Sequence, residues 1–544
     1  MNIKSVLTAV ACTAWAFLFW YVFHPPLNPM HGTFWLTWIF ALAPFAGVAV
    51  YRLNSRAAEV EVYHFVIVLG LLLGGFVLWV LYAVMSSEWV RAGSHRAALG
   101  TVTQAEMHMS LPPLDLARAP LVDGYMARRA AEKRLSEVPG WGSRYQIGEL
   151  EKQIVAGNLY WVGFVEHRSF STWLFGEKTV PGYVKVSASD PSDVSLVREA
   201  EGQPLSMRYL SSALFSNNAE RMFRFHALTA GIADISPEID DNGRPYYVGT
   251  RFRFTVGNAV PDAVGITTLD VQTGEMKDYG LDEVPAWIDR VQPQMFIAGQ
   301  ASKWGRLVRG KFNFAMEEVM DVSGAPDLVF GSDGAAYFYI GLASAGADRA
   351  LAGYLLVNTR TKETRQYAIP GAASEQVARN AAEMVMKEKG YLTTNALPFM
   401  VDNTPTYITV LVDGEGITRA YAMIAMQNFQ VVATGETLQA TYRQYVSRLA
   451  RESHVLTAEG TTAGNLTEKH TYTVERIGQE IRGGNVFYIM SFDEVPGKLF
   501  VATSDQSEAL AVTREGDRLE VEFAAERTSA VRNILAIRNL RYLN

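Results

Sequence analysis

The segment "EIDDNG" is the stretch of this sequence whose residue types come nearest to a metal site. It places Glu238, Asp240, Asn242 and Gly243 at positions 1, 3, 5 and 6 of a calcium-binding loop, where side-chain oxygens bind the ion. Position 12 of such a loop carries a Glu that binds Ca²⁺ through both oxygens, and here it is Gly249. The missing ligand indicates an acidic turn that opens a β-hairpin, and we predict no metal at this segment.

Other patterns for metals and nucleophiles are also incomplete. The nine His residues are scattered, no H-E-x-x-H pattern occurs, and the single cysteine, Cys12, cannot form a Cys pair. His24 and His31 flank a Pro-containing connection, and we interpret them as interfacial residues and not as ligands. Ser332 in "FGSDGAA" lacks the glycine spacing of a nucleophile elbow, and no phosphate-binding or dinucleotide-binding glycine loop is present. We therefore predict no catalytic residue, no metal and no cofactor, and we expect that the protein is not an enzyme.

The charge of the chain argues against one class of partner. The formal net charge is −7, from 49 Lys and Arg against 56 Asp and Glu interspersed along 544 residues. A nucleic-acid-binding protein would carry a basic stripe with interleaved aromatic residues, and none is visible. We predict that nucleic acid is not a partner.

Three long runs without Asp, Glu, Lys or Arg occupy the first ninety residues, at 5–23, 34–51 and 62–85. Each run approaches the ~20 apolar residues that a helix needs to span a bilayer. Trp and Tyr lie towards the ends of the runs, where their rings favour the headgroup level. The pattern predicts three transmembrane helices in a membrane domain of residues 1–90, followed by a linker at 91–118.

Positive charges predict the orientation of that membrane domain. Lys4 precedes the first run, the connection 24–33 has no Lys or Arg, and Arg52 and Arg56 follow the second run. Lys and Arg favour the cytoplasmic side of a membrane. We therefore expect a multi-pass protein of the plasma (inner) membrane, with a cytoplasmic N-terminus and an extracytoplasmic C-terminal domain.

Gly70 and Gly74 form a G-x-x-x-G spacing in the third run. Small residues at this spacing allow close contact between helices in a membrane. The contact could join copies of the chain in a homo-oligomer or pack the third helix on the other two, and the sequence leaves both open. Ionisable residues, which transporters place inside their spans, are limited here to His64 near the end of a run.

A Tyr-rich motif recurs five times in the rest of the chain. Each copy is a turn-forming Gly or Asn, a short spacer, and aromatic and β-branched residues, as in "GNLYWVGF" at 157–164. The intervals between corresponding aromatic residues are 86, 91, 70 and 80 residues, measured between Tyr160, Tyr246, Tyr337, Tyr407 and Phe487. A second apolar run follows each copy and ends in a polar turn such as T-G-E at 273–275, which would close a hairpin.

Helical patterns lie between these repeats. Ser374 begins one in which Val377, Ala381 and Met384 share a face, and Gly390 ends it. The recurring order predicts an α+β protein of tandem helix-plus-antiparallel-sheet modules, without a βαβ parallel sheet. Short alternating strands after residue 495 are consistent with a small β-barrel or a β-rich cap. The predicted boundaries are 119–200, 201–280, 281–370 and 371–436 for four modules, and 437–544 for a further helix with the β-rich C-terminal unit.

The order helix, Tyr-rich strand and hairpin ending in V-D-x-x-T-G-E resembles the PepSY type of extracytoplasmic domain. The match is clearest in "LDVQTGEMKDY" at 269–279, and the segment 374–436 follows the same plan. The resemblance covers about residues 122–436. Because PepSY domains are similar to the pro-regions of secreted peptidases, it implies modules that bind or inhibit other proteins.

The repeated aromatic residues could line a binding surface, although alternation along a strand sends about half of them into the core. The candidates for that surface are Tyr160, Tyr246, Tyr337 and Tyr407. We expect a binding or scaffolding component of an envelope or membrane complex, with other membrane or envelope proteins as partners. Two alternatives stay open: an envelope hydrolase or peptidase regulator with a site between modules, and an auxiliary subunit of a channel or transporter.

Overall fold

The computed structural model describes residues 3–52, 59–105, 111, 114–116, 118–331, 334–344, 351–402, 404–458, 467–482, 485–503, 507–524 and 531–542. The chain divides into two units. The first unit contains residues 1–419 with 425–429, and the second contains 420–424 with 430–544. Both units combine helices with sheets, so the α+β class predicted from the sequence is observed.

The apolar N-terminal sequence forms helices. They are α1 (Ile3–Phe23), α2 (Gly32–Arg52), α3 (Glu59–Met85) and the shorter α4 (Glu88–Ala97). Pro25 and Pro26 lack the backbone N–H that a helix would need, so α1 ends just before them. Between α3 and α4 the helix axis bends by 62°.

The prediction of three membrane-spanning helices at 5–23, 34–51 and 62–85 is wrong. In the described part of the chain, no single helix is both long and apolar enough to cross a membrane. Thr13–Phe23 and Gly32–Leu42 qualify only as shorter apolar helices, and Leu69–Met85 reaches the required length only together with α4, across the bend. Counting apolar residues along a run does not show where the helix bends.

The first sheet follows a capped helix, α5 (Gly124–Ser136). Its strands are β2 (Tyr145–Val155), β3 (Asn158–His167), β4 (Tyr183–Ser187) and β5 (Val194–Val197), antiparallel in the order β2-β3-β4-β5. The first strand of the chain, β1, belongs to another sheet and is the segment Val102–Gln104. Smaller elements here are α6 (Trp141–Arg144), α7 (Phe170–Phe175), β6 (Glu199–Ala200) and β7 (Gln203–Pro204). The core under α5 contains Met126, Ala127, Ala131, Leu135, Val162 and Phe164.

Asp123 caps α5, because its Oδ1 accepts a hydrogen bond from the backbone N–H of Met126 at 2.8 Å. We expect Asp123→Ala to lower the free energy of unfolding of the first unit by about 1 kcal/mol, since it leaves a helix N–H without its partner. Urea denaturation checks this value. Ser87→Ala is the control, since Ser87 precedes α4 without a side-chain cap. Equal losses from both substitutions would contradict the prediction.

The second sheet repeats the plan of the first. It follows α8 (Ala219–His226) and contains β8 (Gly231–Ile239), β9 (Pro245–Phe254), β10 (Pro261–Asp270) and β11 (Met276–Gly280). All neighbours are antiparallel in the order β11-β10-β9-β8. At the turn between β10 and β11, Gly274 has a φ of 78°, which a glycine adopts without strain.

The third sheet has six strands and takes one of them from the predicted linker. After α9 (Gln294–Arg306) come β12 (Met320–Val322), β13 (Asp327–Phe330), β14 (Ala336–Ser344), β15 (Leu351–Asn358) and β16 (Thr364–Ala372). The order is β1-β16-β15-β14-β12, and β13 also pairs with β14. β1 lies parallel to β16, whereas the other pairs are antiparallel.

The first unit ends with a helix and three more strands, α10 (Glu375–Val385), β17 (Leu392–Thr393), β18 (Leu397–Val401) and β19 (Thr404–Val412). Both β17 and β18 pair antiparallel with β19. The side chain of Ser374 accepts a hydrogen bond from the backbone N–H of Val377 and so caps α10.

The second unit contains an antiparallel strand pair, a long helix and a closed barrel. The pair is β20 (Thr418–Ala425) with β21 (Val432–Gly435), and α11 (Leu438–Ala458) follows it. The barrel has the order β22-β23-β24-β26-β25, from β22 (Thr467–Arg482), β23 (Asn485–Phe492), β24 (Leu499–Thr503), β25 (Arg518–Ala524) and β26 (Val531–Asn539). Its core includes Tyr488, Met490, Phe492, Phe500 and Phe523.

Candidate functional site

The segment that resembles a calcium loop forms the turn between β8 and β9. Asp240 Oδ1 accepts hydrogen bonds from the backbone N–H groups of Asn242 and Arg244, both at 2.9 Å. Glu238 is buried on β8, and burial raises the pKa of its carboxyl well above the ordinary value. The structure therefore does not bring these carboxylates together as ligands. Among the described residues, no group of three or more His, Cys, Asp or Glu could hold a metal ion.

The four candidate aromatic residues have different environments. Tyr407 and Tyr337 are buried, so neither can line an open surface. Tyr246 is half-buried and stacks on Trp287 with ring centroids 5.2 Å apart. Tyr160 is half-buried as well, and Lys185 Nζ lies 4.3 Å from the centre of its ring. Ser332, a weak nucleophile candidate in the sequence, lies outside the described residues.

Gly70 and Gly74 face open space within the chain, since a Cβ added to either would meet no described atom within 4 Å. The close helix contact lies one residue further along α3. A Cβ on Gly75 would overlap the ring of Trp35 on α2. Contact between copies of the chain through Gly70 and Gly74 stays a prediction.

The helices α1 to α3 present large apolar side chains to their surroundings, and we call these residues the apolar helix surface. The exposed fractions of Phe17, Leu71 and Leu78 are 61%, 70% and 68%. Further members are Val22, Phe23, Leu36, Phe40, Val77, Leu81 and Met85. Contiguous apolar exposure of this kind marks a surface that another apolar phase or partner covers.

One end of this surface carries a collar of three tryptophans, one from each helix. The indole N–H groups of Trp20, Trp35 and Trp79 donate to backbone oxygens of the connection 24–31. The donor–acceptor distances are 3.2, 2.8 and 3.0 Å, to Pro25, Pro29 and Met30. An indole with an apolar body and a bonded N–H suits the boundary between an apolar and a polar medium.

The connection 24–31 is fastened to the end of α8 and the start of β8. Leu27 N–H donates to the Leu228 oxygen at 2.7 Å, and Arg224 Nε donates to the His24 oxygen at 2.9 Å. Burial lowers the pKa of Arg224 to about 10. Beside it lies a cavity of about 410 Å³, lined in part by Thr33, Thr37 and Phe223. The connection between α1 and α2 is thus joined by specific contacts to α8 and to the segment that follows it.

The two histidines of the connection, His24 and His31, are half-buried. His31 packs against Phe252 and Phe254, with ring centroids 5.5 and 5.0 Å away. Burial lowers the pKa of both His24 and His31 below the ordinary value. The interpretation of the pair as interfacial residues stays a prediction.

A buried charged cluster joins the first two sheets, and we call it the charged junction: Glu151 on β2, Glu238 on β8, and Asp289 with Arg290 on the segment after β11. Arg290 Nη1 lies 3.0 Å from Glu151 Oε2. Asp289 Oδ2 accepts a hydrogen bond from the backbone N–H of Ile154 at 2.5 Å. Burial raises the pKa of Asp289 to about 6 and also raises the pKa of Glu151.

Gln153 completes the charged junction by bridging two sheets through its amide. Its Nε2 donates to the Ile239 oxygen at 2.6 Å, and its Oε1 accepts from the Ile239 N–H at 2.9 Å. Nε2 also donates to the Trp287 oxygen at 3.1 Å. The polar groups here hold β2, β8 and the segment 284–292 together, which indicates a structural fastening.

A second perturbed carboxyl, Glu375, lies at the first turn of α10 beside β14, and we call its surroundings the Glu375 site. Ser323 Oγ and Glu375 Oε1 both lie next to the position that a Cβ on Gly341 would occupy, the Glu375 oxygen at 3.5 Å. Burial, and secondly the charge of Asp327, raises the pKa of Glu375 to about 8. A carboxyl that titrates near neutral pH can take up and release a proton there.

Two buried tyrosines interact electrostatically with Glu375. The hydroxyls of Tyr339 on β14 and Tyr407 on β19 lie 3.0 Å apart in a buried hydrogen bond. Glu375 contributes to the raised pKa of both hydroxyls, although burial is the larger cause. The sequence marked Tyr407 as a repeat residue and Ser374 as a helix cap. It gave no signal that Glu375, the residue after Ser374, would interact with Tyr407.

Comparisons with known proteins identify no family. No protein-family model matches this chain, and no curated protein matches it. One solved structure, of a BT0996 RGII complex, aligns at 10% identity over 64% of this chain and 83% of its own length, with a TM-score of 0.17. A crystal structure of a B. megaterium levansucrase mutant aligns at 9% identity over 80% of this chain and 98% of its own length, with a TM-score of 0.19. Such scores carry no argument about fold or function, and the resemblance to PepSY domains stays a prediction.

Proposed function

We propose that the protein is a binding or scaffolding component held at a membrane by its apolar helix surface, with other membrane or envelope proteins as partners. The observation that carries the proposal is the exposure of Phe17, Leu71 and Leu78 on helices whose connection 24–31 is bonded to α8. Burial of such a surface among lipid acyl chains stabilises membrane binding, because each buried CH₂ contributes roughly 0.8 kcal/mol.

The tryptophan collar supports the membrane attachment. Trp35 and Trp79 are half-buried and donate to the connection 24–31, whereas Trp20 is buried within the chain against Phe225. Indole rings favour the headgroup level of a bilayer. The proposal needs no crossing of the membrane by three helices, and the extracytoplasmic location of the sheets stays a prediction.

The linked sheets support the scaffolding role. Within the charged junction, Gln153 on β2 bonds with Ile239 on β8. Arg360, at the turn between β15 and β16, donates to the Val284 and Pro285 oxygens of the segment after β11, at 2.8 and 2.9 Å. Three consecutive sheets are therefore joined by specific polar contacts. A rigid array of this kind can hold partner proteins at fixed positions without undergoing chemistry itself.

Flotation with phosphatidylcholine vesicles tests the attachment. We expect the intact chain to float with the vesicles and the triple variant Phe17→Ser, Leu71→Ser, Leu78→Ser to float more weakly, since the substitutions remove exposed apolar area. A control variant with Ser in place of three exposed acidic residues, Glu201, Glu388 and Glu415, should float like the intact chain. If the intact chain stays with the soluble fraction, the attachment is wrong.

Crosslinking and mass spectrometry in native membranes test the scaffolding role. We expect crosslinks from lysines on the sheets to a reproducible membrane or envelope protein. Crosslinks confined to the chain itself in repeated experiments would remove the basis of the scaffolding proposal.

The Glu375 site favours a second candidate, a hydrolase with its site between modules. Glu375 comes from α10, whereas Ser323 and Tyr339 belong to the third sheet region, so the site lies where two predicted modules meet. A screen with peptide and ester substrates tests this candidate. It predicts turnover that falls at least about 100-fold in Glu375→Gln, the loss typical of removing a general acid or base, and not in the exposed control Glu388→Gln. Equal rates for the two variants would contradict it.

A further inference from the structure

The loop 308–318, between α9 and β12, presents apolar side chains outward, and we call it the aromatic loop. Phe312, Phe314 and Met316 are 62%, 85% and 56% exposed. All three lie within five residues, at alternating positions. An exposed apolar group of this size marks a surface that another apolar phase covers.

The shape of the aromatic loop is fixed by its own polar side chains. Arg309 pairs with both Glu317 and Glu318, and its Nη2 lies 2.7 Å from Glu318 Oε1. Asn313 Nδ2 donates to the Glu317 oxygen at 2.8 Å. These polar groups bond with one another, and the side chains of Phe312, Phe314 and Met316 stay exposed.

The aromatic loop lies beside the end of the apolar helix surface. The ring of Trp89 on α4 is 5.8 Å from that of Phe312, and Lys311 pairs with Glu88 on the same helix. Met85, four residues before Trp89, ends α3 and is itself 55% exposed. Phe312 of the aromatic loop and Trp89 of α4 are therefore neighbours, and Met85 precedes Trp89 across the bend between α3 and α4.

Three cations beside this region lie next to acidic groups. Lys311 pairs with Glu88, Arg309 with Glu317 and Glu318, and Arg306 lies 4.0 Å from Asp321. A surface that recognised anionic lipids or an acidic protein would present unpaired cations. Burial of apolar groups, and not headgroup charge, is thus the driving force that this surface offers.

We propose that the aromatic loop and Trp89 insert into the boundary between headgroups and acyl chains of a phospholipid bilayer. This proposal rests on the membrane attachment proposed above and adds a second contact, which fixes the third sheet close to the bilayer. Phe312, Phe314 and Met316 bury their side chains among the lipids, while the amine of Lys311 stays paired with Glu88. The insertion is insensitive to the headgroup charge and to salt.

A fluorescent label on the loop tests the insertion. Cys12 is the only cysteine, so Cys12→Ser with Phe314→Cys gives a single site for the polarity-sensitive dye NBD. In phosphatidylcholine vesicles we expect a blue-shifted emission that loses about half its intensity when the lipids carry a doxyl quencher near the headgroup, since the loop lies roughly 5–10 Å deep. Adding phosphatidylserine or 0.5 M salt should leave the quenching unchanged.

A label at the exposed turn after β4, Ser192→Cys in the same background, is the matched control and should not be quenched. Met316→Cys repeats the test if Phe314→Cys fails to fold. A chain that floats with vesicles but shows no quenching at 314 and 316 overturns the loop proposal alone. A chain that does not float overturns both proposals. A blue shift that appears with native membranes but not with lipid vesicles assigns the surface to a protein partner and overturns this proposal.

Discussion

Replacing Arg290 with Met lowers the free energy of unfolding of the first unit by about 3–5 kcal/mol, the cost of removing one partner from a buried ion pair. Arg290 is 11% exposed and faces Glu151 at 3.0 Å. It also contributes a favourable charge to Glu238 and Asp289 in the charged junction. Without it, the carboxyl groups of the junction lose the cation that lies among them.

Hydrogen exchange shows which strands lose stability in Arg290→Met. We expect β2 and β8 of Arg290→Met to exchange faster, because the junction joins these strands, while the barrel strands of the second unit keep their rates. Arg134→Ala is the matched control, since Arg134 and Glu137 form an ion pair in which both side chains are about half exposed. That substitution should change the free energy by less than about 0.5 kcal/mol. Similar stabilities for the two variants would show that the charged junction does not hold the sheets together.

Glu375→Gln makes the protein more stable than the wild type at pH 8 and leaves it nearly unchanged at pH 4.5. The carboxyl of Glu375 has a pKa of about 8 in the folded chain, against an ordinary value of 4.5. Between these values the folded chain holds a proton that the unfolded chain has released. The free energy of unfolding therefore falls as the pH rises through this window, by up to about 1.4 kcal/mol per pH unit.

Glutamine keeps the shape of the protonated carboxyl without titrating, so the difference in stability between variant and wild type isolates Glu375 from other buried acids. Urea denaturation at half-unit steps from pH 4.5 to 8.5 measures that difference. The groups that act on Glu375 are Asp327, which raises its pKa, and Arg379, which lowers it. Glu388→Gln, at an exposed position after α10, should show a flat difference across the same range. A stability difference between Glu375→Gln and the wild type that does not change with pH would show that the wild-type carboxyl of Glu375 is solvated.

Local sequence signals predicted several elements correctly. Ser374 and Gly390 were predicted to bound a helix, and α10 is capped by Ser374, with Gly390 at a φ of 64° where the helical segment ends. The T-G-E turn at 273–275 closes the hairpin of β10 and β11, since Gly274 supplies a positive φ. These signals succeed because a cap or a turn depends on residues only two or three positions apart.

The candidate sites depend on residues far apart in the chain, and the sequence did not predict them. Arg290 meets Glu151 across 139 positions, and Tyr339 meets Tyr407 across 68. Such pairs leave no periodic pattern in the sequence. No local pattern could therefore predict the surroundings that raise the pKa of Glu375. The prediction of three membrane-spanning helices failed for a related reason, because hydropathy counts residues and contains no information on the bend after Met85.

The parallel pairing of β1 with β16 sets an order for the completion of the third sheet. Val102 lies opposite Thr364. During synthesis β1 is made first and cannot pair until some 260 further residues, including β16, have been added. Closing so long a loop is slow, and until then β16 has an unpaired edge that other chains could join. A fragment that begins at residue 119 would keep that edge permanently open, and its aggregation would reflect the missing strand more than any weakness of the modules.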